Sequence, residues 1–429
     1  MSNWPSVRLS DLADIRFSNV DKKFEPTETP VRLCNYMDVY GNGGYINAEL
    51  PFMEASASRI EIERFGVANG DVMITKDSET PDDIGVPAVV VEDIPGLVCG
   101  YHLALIKANR EKIDPIYLAK QLGNKSTASY FSRLANGSTR YGLSSSAIAS
   151  TRIPLAPLPQ QRHIAEILTT LDETIEQTEA LIAKHQQIKA GLMHDLFTRG
   201  ITPDDRLRPT REEAPQLYKE SPLGWVPKEW EIRRLDSVSD VNRGKFAHRP
   251  RNEPRFYGGR YPFIQTGDVA LSEGGKLFNY SQTLNESGLA ISRIFPANTV
   301  MVTIAANIAD TCIIGIPMCV PDSLVAVQPN DAHDARFIEL SIRRRKSWLI
   351  ARAPQTAQKN INLEDLRPLK ITWPQIEERM QISSIYEAHD SVLKAFQDNM
   401  AKLQQQKHGL MHDLLTGRVR VSAPEAAAA

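Results

Sequence analysis

The residues that could perform catalysis do not form a catalytic signature anywhere in this 429-residue chain. There is no phosphate-binding GxxxxGK[ST] loop, and no Asn-Pro-Pro-aromatic motif that could hold an amine for methyl transfer. HExxH and GxSxG are also missing. The acidic residues at Pro81-Asp82-Asp83 and Pro321-Asp322 lack the following Glu-x-Lys of a nuclease triad. The sequence therefore offers no motif that would support catalysis.

The cysteines and the apolar residues indicate the class of protein. The four cysteines contain no CxxC pair, which favours buried reduced thiols over a zinc site or a disulfide framework: Cys34, Cys99, Cys312 and Cys319. We therefore expect no metal site. No run of eighteen apolar residues occurs, and no basic region precedes an apolar stretch at the start. We expect neither a transmembrane helix nor a signal peptide, and a cytoplasmic location.

The charge is distributed unevenly along the chain. The formal net charge is only -2, with 42% hydrophobic and 24% charged residues, as in soluble globular proteins. Residues 1–157 carry 16 Lys and Arg against 19 Asp and Glu, a net charge of -3. Residues 225–372 carry 20 against 15, a net charge of +5. Any surface for a polyanion must therefore consist of local patches.

The chain contains an internal repeat. Residues 186–196 (QQIKAGLMHDL) recur at 404–414 (QQQKHGLMHDL), with nine of eleven positions identical at an offset of 218. A second, shorter match lies near the start of each half, where Trp4-x3-Arg8-Leu9 matches Trp230-x3-Arg234-Leu235. Self-similarity of this kind predicts two halves with one plan, each a globular region followed by a helical region.

The repeated segments end two long predicted helices. Apolar side chains recur every three or four residues along 158–198 and 373–416, which is a heptad pattern. Because one such seam cannot bury itself, we expect the two helices to pair as an antiparallel coiled coil; the alternative is homo-oligomerisation through them. The expected helix-pair residues are Ile164, Leu168, Leu171, Ile175, Ile182, Leu192, Leu196, Ile382, Tyr386, Leu393, Phe396, Met400, Leu403, Leu410 and Leu414.

Both globular regions are predicted to be mixed α/β. β-Branched runs indicate strands at 70–75, 86–91 and 299–304, and glycines indicate turns at 40–44 and 257–262. The expected organisation is an internal pseudo-twofold repeat, with a first domain at 1–157, a first helix at 158–198, a proline-bearing linker at 199–224, a second domain at 225–372, a second helix at 373–416 and a tail at 417–429.

These features resemble the specificity subunit of type I restriction–modification enzymes over nearly the whole chain. Residues 153–168 (IPLAPLPQQRHIAEIL) look like the family's junction between a recognition domain and a spacer helix. Residues 257–269 (YGGRYPFIQTGDV) resemble the second recognition domain, and 74–77 (ITKD) resemble the matching strand and loop of the first. Residues 374–380 (PQIEERM) are a looser copy of the helix-opening motif, so the start of the second helix is less well defined.

The resemblance implies a division of labour. Each domain would be a target-recognition domain for one half of a split site in double-stranded DNA, and the paired helices would fix the unread gap. Two methyltransferase subunits would dock on the helices and bring S-adenosylmethionine to methylate adenines. Restriction and translocase subunits would bring ATP and Mg²⁺. This chain would hold no cofactor, catalyse nothing and bind no membrane.

Candidate DNA contacts follow from the resemblance and from side-chain chemistry. Phosphates are contacted by Lys, Arg and neutral donors, and base edges by Arg, Lys, Asn, Gln, Ser or Thr on loops. Lys76 with Asp77 could equally form an ordinary turn, and the run 343–346 (RRRK) is either a solvated helix face or a phosphate contact. The expected contacts are Lys76, Ser138, Thr139, Arg140 and Tyr141 in the first domain, and Arg243, Lys245, Gln265, Thr266, Gln358, Lys359 and Asn360 in the second.

Two other functions are compatible with the sequence. One is a duplicated DNA-binding regulator that acts alone, and the other is a coiled-coil adaptor that does not bind DNA. A regulator would bind DNA tightly without partners. An adaptor would show no salt-dependent DNA binding.

Overall fold

The computed structural model describes residues 4–305, 307–353 and 360–422. The chain divides into two compact units. Unit 1 comprises residues 1–181 and 396–429, and unit 2 comprises residues 182–395. Each unit therefore contains one globular domain and parts of both long helices. Within the described ranges, no helix has both the length and the apolar character needed to cross a membrane.

Unit 1 is a mixed α/β fold of short strands. Its helices are α1 (Tyr36–Tyr40), α2 (Arg59–Phe65), α3 (Pro115–Leu122), α4 (Lys125–Leu134), α5 (Ser145–Ala149) and the part of α6 (Leu158–Thr198) up to residue 181. Its strands are β1 (Ser6–Arg8), β2 (Ala13–Phe17), β3 (Thr29–Cys34), β4 (Tyr45–Ile46), β5 (Met53–Ala57), β6 (Val72–Thr75), β7 (Asp77–Ser78), β8 (Pro87–Val90), β9 (Leu97–Cys99), β10 (Leu103–Ala108), β11 (Tyr141–Gly142) and β12 (Arg152–Pro154).

A five-stranded sheet in the order β2-β10-β6-β8-β4 forms the centre of unit 1. The edge strand β4 runs parallel to β8, and the other pairs are antiparallel. All four residues of β6 and the first four of β10 are buried. These strands are covered on both faces, which explains why they appear in the sequence as continuous apolar runs. A second sheet has the order β5-β3-β9, and β12 pairs with β1.

Unit 2 contains the corresponding elements. Its helices are the end of α6 from residue 182, α7 (Leu235–Val238), α8 (Thr266–Leu271), α9 (Glu286–Ile291), α10 (Ala335–Arg344), α11 (Lys346–Arg352), α12 (Leu363–Leu366) and the start of α13 (Ile376–Leu415). Its strands are β13 (Tyr218–Ser221), β14 (Gly224–Pro227), β15 (Glu231–Arg234), β16 (Ser239–Arg243), β17 (Tyr257–Phe263), β18 (Lys276–Leu277), β19 (Gln282–Leu284), β20 (Arg293–Phe295), β21 (Val300–Thr303), β22 (Thr311–Ile314), β23 (Met318–Val320), β24 (Leu324–Pro329) and β25 (Lys370–Trp373).

The two domains share one topology. The central sheet of unit 2 has the order β16-β24-β21-β22-β18, which matches that of unit 1 strand for strand. The registers match as well, because Tyr45 lies opposite Val89 in the parallel edge pair of unit 1, and Lys276 lies opposite Ile313 in that of unit 2. The predicted mixed α/β fold and internal repeat are therefore confirmed in the domains, where the sequence match is weakest.

The long helices pair in an antiparallel manner, as predicted. In unit 2, Lys189 forms an ion pair with Asp390, and the N–H of Ile201 just beyond α6 donates to Glu378 near the start of α13. In unit 1, Lys407 Nζ lies 2.6 Å from Asp172 Oδ1. The two ion pairs occupy equivalent positions at the offset of 218. The fifteen residues expected along the seam are all buried or half-buried.

Each domain packs against the start of one long helix and the end of the other. In unit 1, Ile164 and Leu168 of α6 and Leu414 of α13 belong to a single core cluster. In unit 2, Leu196 of α6 and Ile382 of α13 do the same. These apolar contacts within each unit fix both helix ends onto the sheet domains, because burying each side chain contributes roughly 1.5–3 kcal/mol.

The turn predicted at 257–262 is wrong, because these residues form most of strand β17. The pair Gly258-Gly259 is a β-bulge, where the register against β19 shifts between Tyr257 and Tyr261. A Cβ on Gly259 would lie 2.3 Å from the backbone of Asn285. Glycine is therefore needed for close strand approach, which in sequence looks the same as a turn.

The segment at 199–224 holds more structure than its proline content suggests. It contains β13 and the first residue of β14, which pair as an antiparallel hairpin. Arg208 is 7% exposed and forms a two-pronged ion pair with Glu378, whose Oε2 also accepts a hydrogen bond from Trp230 Nε1 at 3.0 Å. A polar side chain from this segment thus joins the core of unit 2.

Candidate nucleic-acid interface

In unit 1, a polar cluster forms where three chain segments meet. The turn from β9 to β10 ends at His102, whose Nδ1 lies 2.8 Å from the Asp77 carboxylate that follows β6. Arg140 Nη2 lies 3.4 Å from Asp77 Oδ1 and 3.3 Å from His102 Nδ1. The side chains of Asp77 and His102 are 22% and 13% exposed, whereas that of Arg140 is 62% exposed. The exposed guanidinium of Arg140 thus lies against the mostly buried side chains of Asp77 and His102.

Backbone pairing brings the loop of Arg140 to this place. The short strands β7 and β11 pair in antiparallel fashion, with Tyr141 opposite Ser78. The N–H of Leu143 then donates to the carbonyl of Lys76 at 2.8 Å. Gly137 has φ +148° and a Cβ there would collide with the Arg140 carbonyl at 1.9 Å, so the loop requires glycine.

The remaining expected contacts of unit 1 are placed differently from one another. The ammonium of Lys76 is half-buried, donates to the Ser18 carbonyl at 2.9 Å and lies 5.1 Å from the Phe17 ring centroid. Burial lowers the pKa of Lys76. Its interactions are those of a structural residue rather than a free cation. The side chains of Ser138 and Thr139 are exposed beside Arg140, and Tyr141 is half-buried.

In unit 2, the equivalent turn from β23 to β24 carries Asp322 in a cluster of arginines. Arg249 Nη2 and Arg251 Nη2 each lie 2.5 Å from one of its carboxylate oxygens. Arg243 at the end of β16 donates from Nε to the Asp322 carbonyl, also at 2.5 Å. All three arginine side chains are exposed or partly exposed. One carboxylate thus organises two guanidinium groups and leaves an excess of positive charge.

The other expected residues of unit 2 lie near this turn or outside the described part. Lys245 is exposed, and its N–H donates to Val320 in β23 at 2.8 Å. Gln265 caps α8 together with Asp268, and its Nε2 lies 3.3 Å from Gln282 Oε1; the neighbouring Thr266 is half-buried. Asn360 is exposed and pairs with Ala305. Gln358 and Lys359 lie outside the described residues.

Asp77, His102, Asp322, Arg249 and Arg251 were not among the expected contacts. The arginine pair had a detectable signal, because the stretch 243–260 is rich in arginine. Asp77 lies in the 74–77 motif, but its pairing with His102 had no signal, since the two residues are 25 positions apart and come together only through the strand order. Neighbours in a sheet are not necessarily neighbours in sequence.

The basic run at 343–346 is largely engaged inside unit 2. Arg343 donates from Nε to Glu339 Oε1 at 2.9 Å, and Arg344 donates to the Phe197 carbonyl at 3.0 Å. Lys346 Nζ lies 2.5 Å from Asp310. Since three of its four side chains already hold partners, this run is poorly placed to contact phosphates.

No candidate catalytic or metal centre accompanies the polar clusters in the ranges that the structure describes. All four cysteines are buried and free, as predicted, and burial raises the pKa of the Cys312 thiol to about 12. Such a thiol is protonated at neutral pH and is a poor nucleophile. The described residues also contain no group of three or more His, Cys, Asp or Glu that could hold a metal ion.

The fold and its clusters define a duplicated α/β scaffold whose two copies present different arginine-bearing loops. Comparison with known proteins identifies the family. The sequence model of the family described as the type I restriction modification DNA specificity domain matches residues 1–187 and 227–403, so the chain belongs to this family.

Individual relatives agree with this assignment. The chain is 23% identical over 327 residues to the type I restriction enzyme MjaVIII specificity subunit of Methanocaldococcus jannaschii, covering 72% of this chain and 71% of that protein. It is 23% identical over 303 residues to the EcoBI specificity subunit of Escherichia coli, covering 65% and 60%. The crystal structure of the type I restriction–modification S subunit from M. genitalium has the same fold, with a TM-score of 0.58, 14% identity and 96% coverage of both chains.

Proposed function

We propose that this chain is the DNA specificity subunit of a type I restriction–modification enzyme, and that each domain recognises one half of a bipartite site. One observation supports the two-reader model most directly. The same turn in two copies of one fold carries His102 with Asp77 and Arg140 in unit 1, but Asp322 with Arg249 and Arg251 in unit 2. Identical scaffolds with different polar side chains are what two readers of different base sequences require.

The residues proposed to contact DNA are the arginines of the two clusters and the expected contact residues of each domain. In unit 1 they are Arg140, Ser138, Thr139 and Tyr141, with Lys76 supporting the loop. In unit 2 they are Arg243, Lys245, Gln265, Thr266 and Asn360, extended by Arg249 and Arg251 and by Gln358 and Lys359. An arginine supported by a carboxylate is held ready for two-pronged contact with a guanine edge or a phosphate.

The long helices are proposed to dock the partner subunits and to set the unread gap. Two methyltransferase subunits would supply S-adenosylmethionine, and restriction and translocase subunits would supply ATP and Mg²⁺ chemistry. This chain contributes recognition and scaffolding and no catalytic group. A cytoplasmic location is part of the same proposal, since the complex acts on cellular DNA.

Domain exchange followed by methylation mapping tests this function. The chain is co-expressed with its host's methyltransferase subunit, and methyladenine is mapped genome-wide by long-read sequencing. A split motif is expected whose second half alone changes when residues 225–372 are replaced by another such domain. A soluble complex without methylation would contradict the proposal. Tight DNA binding by the chain alone would then favour a regulator, and absence of salt-dependent binding an adaptor.

A further inference from the structure

Unit 2 contains a cavity of about 330 Å³ between the sheet edge, the start of α10 and the start of α13. Its walls include Lys276, Ile313, Arg336, Met380 and Ser383. A volume of this size lies at the lower end of the range of small-molecule sites, roughly 300–1,000 Å³. No part of the proposed DNA-recognition function accounts for it.

The equivalent positions in unit 1 carry Tyr45, Ile116 and Ala165. Tyr45 holds the register position of Lys276, and its hydroxyl oxygen lies 2.9 Å from Asp172 while Lys120 Nζ lies 4.4 Å from the ring centroid. Ile116 and Ala165 pack in the same core. Asp114 and Asp334 are the N-caps of equivalent helices, so Ile116 and Arg336 occupy the same helical position. The repeat offset of 218 likewise places Ala165 at the position of Ser383.

In unit 2, Lys276, Arg336 and Ser383 stand at these positions, so the cavity is lined by hydrogen-bond donors. Arg336 and Ser383 are each 7% exposed, and neither Arg336 Nε nor Ser383 Oγ has a hydrogen-bond partner. Buried polar groups in folded proteins are rarely left without a hydrogen-bond partner. Two such groups at one cavity are available to a ligand.

The geometry of Arg336 indicates the ligand's chemistry. Its Nη1 is occupied by the Gly274 carbonyl and Glu339 Oε2, each within 3 Å. Its Nε has no hydrogen-bond partner, although Nε lies 3.6 Å from Glu387 and Nη2 lies 3.8 Å from Asp390, both at ion-pair distance. The guanidinium carbon also lies 5.2 Å from the Tyr386 ring centroid. An Nε–Nη2 edge matches two oxygens of a phosphate.

The rest of the lining suits a phosphate carried on a larger molecule. Lys276 and His333 add donors, and Ile313 and Met380 add apolar wall. Glu387 is the acidic residue of the lining, and its side chain is 48% exposed, so it can turn towards solvent. We propose that this cavity binds a phosphate monoester of mononucleotide size, with the phosphate on Arg336 and Ser383. The proposal does not depend on DNA recognition by the chain.

Calorimetric titration of the full chain with adenosine 5′-monophosphate tests this site. Saturable binding at one site is expected, with competition by inorganic phosphate. Lys276→Tyr restores the unit 1 residue and should abolish binding by filling the cavity. Ser383→Ala removes one donor and should weaken binding roughly three- to tenfold. Ser237→Ala, at an exposed serine elsewhere in unit 2, should leave binding unchanged.

Three outcomes would overturn the proposal. They are no saturable binding by the unaltered chain, binding that Lys276→Tyr and Ser383→Ala leave intact, and an equal loss of duplex-DNA affinity in both variants. The last would assign the cavity to a backbone phosphate of DNA instead. Thermal unfolding of each variant checks that the fold is retained, and Ser383→Ala keeps the test decisive if Lys276→Tyr is unstable.

Discussion

Arg140 is the side chain of unit 1 whose setting is best suited to base recognition. Its guanidinium is mostly exposed, yet its Nη2 lies 3.4 Å from the Asp77 carboxylate, which His102 contacts in turn. Holding a long side chain in advance reduces the entropy that binding would otherwise cost. An arginine on a carboxylate support therefore offers both specificity and affinity at one position of the first half-site.

Arg140→Ala should reduce affinity for the recognised site roughly 5- to 150-fold, since a two-pronged base contact is worth about 1–3 kcal/mol. Affinity for unrelated DNA should fall much less. Fluorescence anisotropy with the methyltransferase complex measures both. Arg133→Ala, at an exposed arginine of α4, is the matched control. Equal losses on both DNAs would assign Arg140 to a phosphate.

Arg249 and Arg251 should act differently, because two guanidinium groups around the single carboxylate of Asp322 leave a net positive patch. Arg249→Ala and Arg251→Ala are each expected to weaken binding to all sequences similarly, and to reduce the slope of log K against log salt by about one. Arg234→Ala, at an exposed arginine paired with Asp236, serves as the control. A changed methylation motif with an unchanged salt slope would contradict the phosphate role.

At the level of elements, the helix pairing depends on ion pairs at equivalent positions. Asp172 is bound by Lys120 and Lys407 in unit 1, and Asp390 by Lys189 in unit 2. Burial alone would raise the pKa of Asp172, but the two lysines outweigh burial and lower it. A carboxylate stabilised in this way favours the folded state at neutral pH.

Asp172→Asn should lower the free energy of unfolding by roughly 2–3 kcal/mol at pH 7, because the buried ammonium of Lys120 loses its counter-charge. The folded-state pKa is lowered, so this stabilisation is present above the ordinary value of 3.8 and disappears as the pH falls through the lowered value. Denaturant unfolding of the full chain at pH 7 and pH 3 measures the difference, with exposed Glu173→Gln as control. If the loss of unfolding free energy caused by Asp172→Asn is the same at pH 7 and pH 3, the ionised Asp172 carboxylate is not its origin.

The helix length is predicted to set the unread gap. Inserting four residues after Leu181 and four after Ala395 adds about 6 Å to each helix at ~1.5 Å per residue. The mapped motif should then gain about two base pairs in its gap at ~3.4 Å each, while both half-site sequences stay the same. An unchanged gap, or new half-site bases, would contradict a spacer role for these helices.

At the level of the whole molecule, the weak net charge of -2 sets the expected behaviour on DNA. Two separate clusters give a modest electrostatic attraction rather than a global field. The chain alone should therefore bind DNA more weakly, by at least tenfold, than its complex with methyltransferase subunits. Titration at two salt concentrations measures this ratio. Equal affinities would favour a regulator that acts alone.

The sequence by itself determined the architecture of this protein. The repeat at 186–196 and 404–414, the heptad seams and the buried β-branched runs depend on local periodicity, which is visible along the chain. The mixed α/β class, the duplication and the antiparallel helix pair all follow from it. Strand 257–263 escaped detection because a glycine pair in a bulge looks like one in a turn.

Only the tertiary structure decided which side chains share a site. Asp77, His102 and Arg140 meet because the strand order places three separated segments at one end of a sheet, and strand order is not encoded in local periodicity. The same holds for the cavity of unit 2, where Lys276, Arg336 and Ser383 come from three elements. Residue type alone identifies Arg140 as a candidate contact. It does not identify Asp77 and His102, because long-range packing places that carboxylate and that ring beside Arg140.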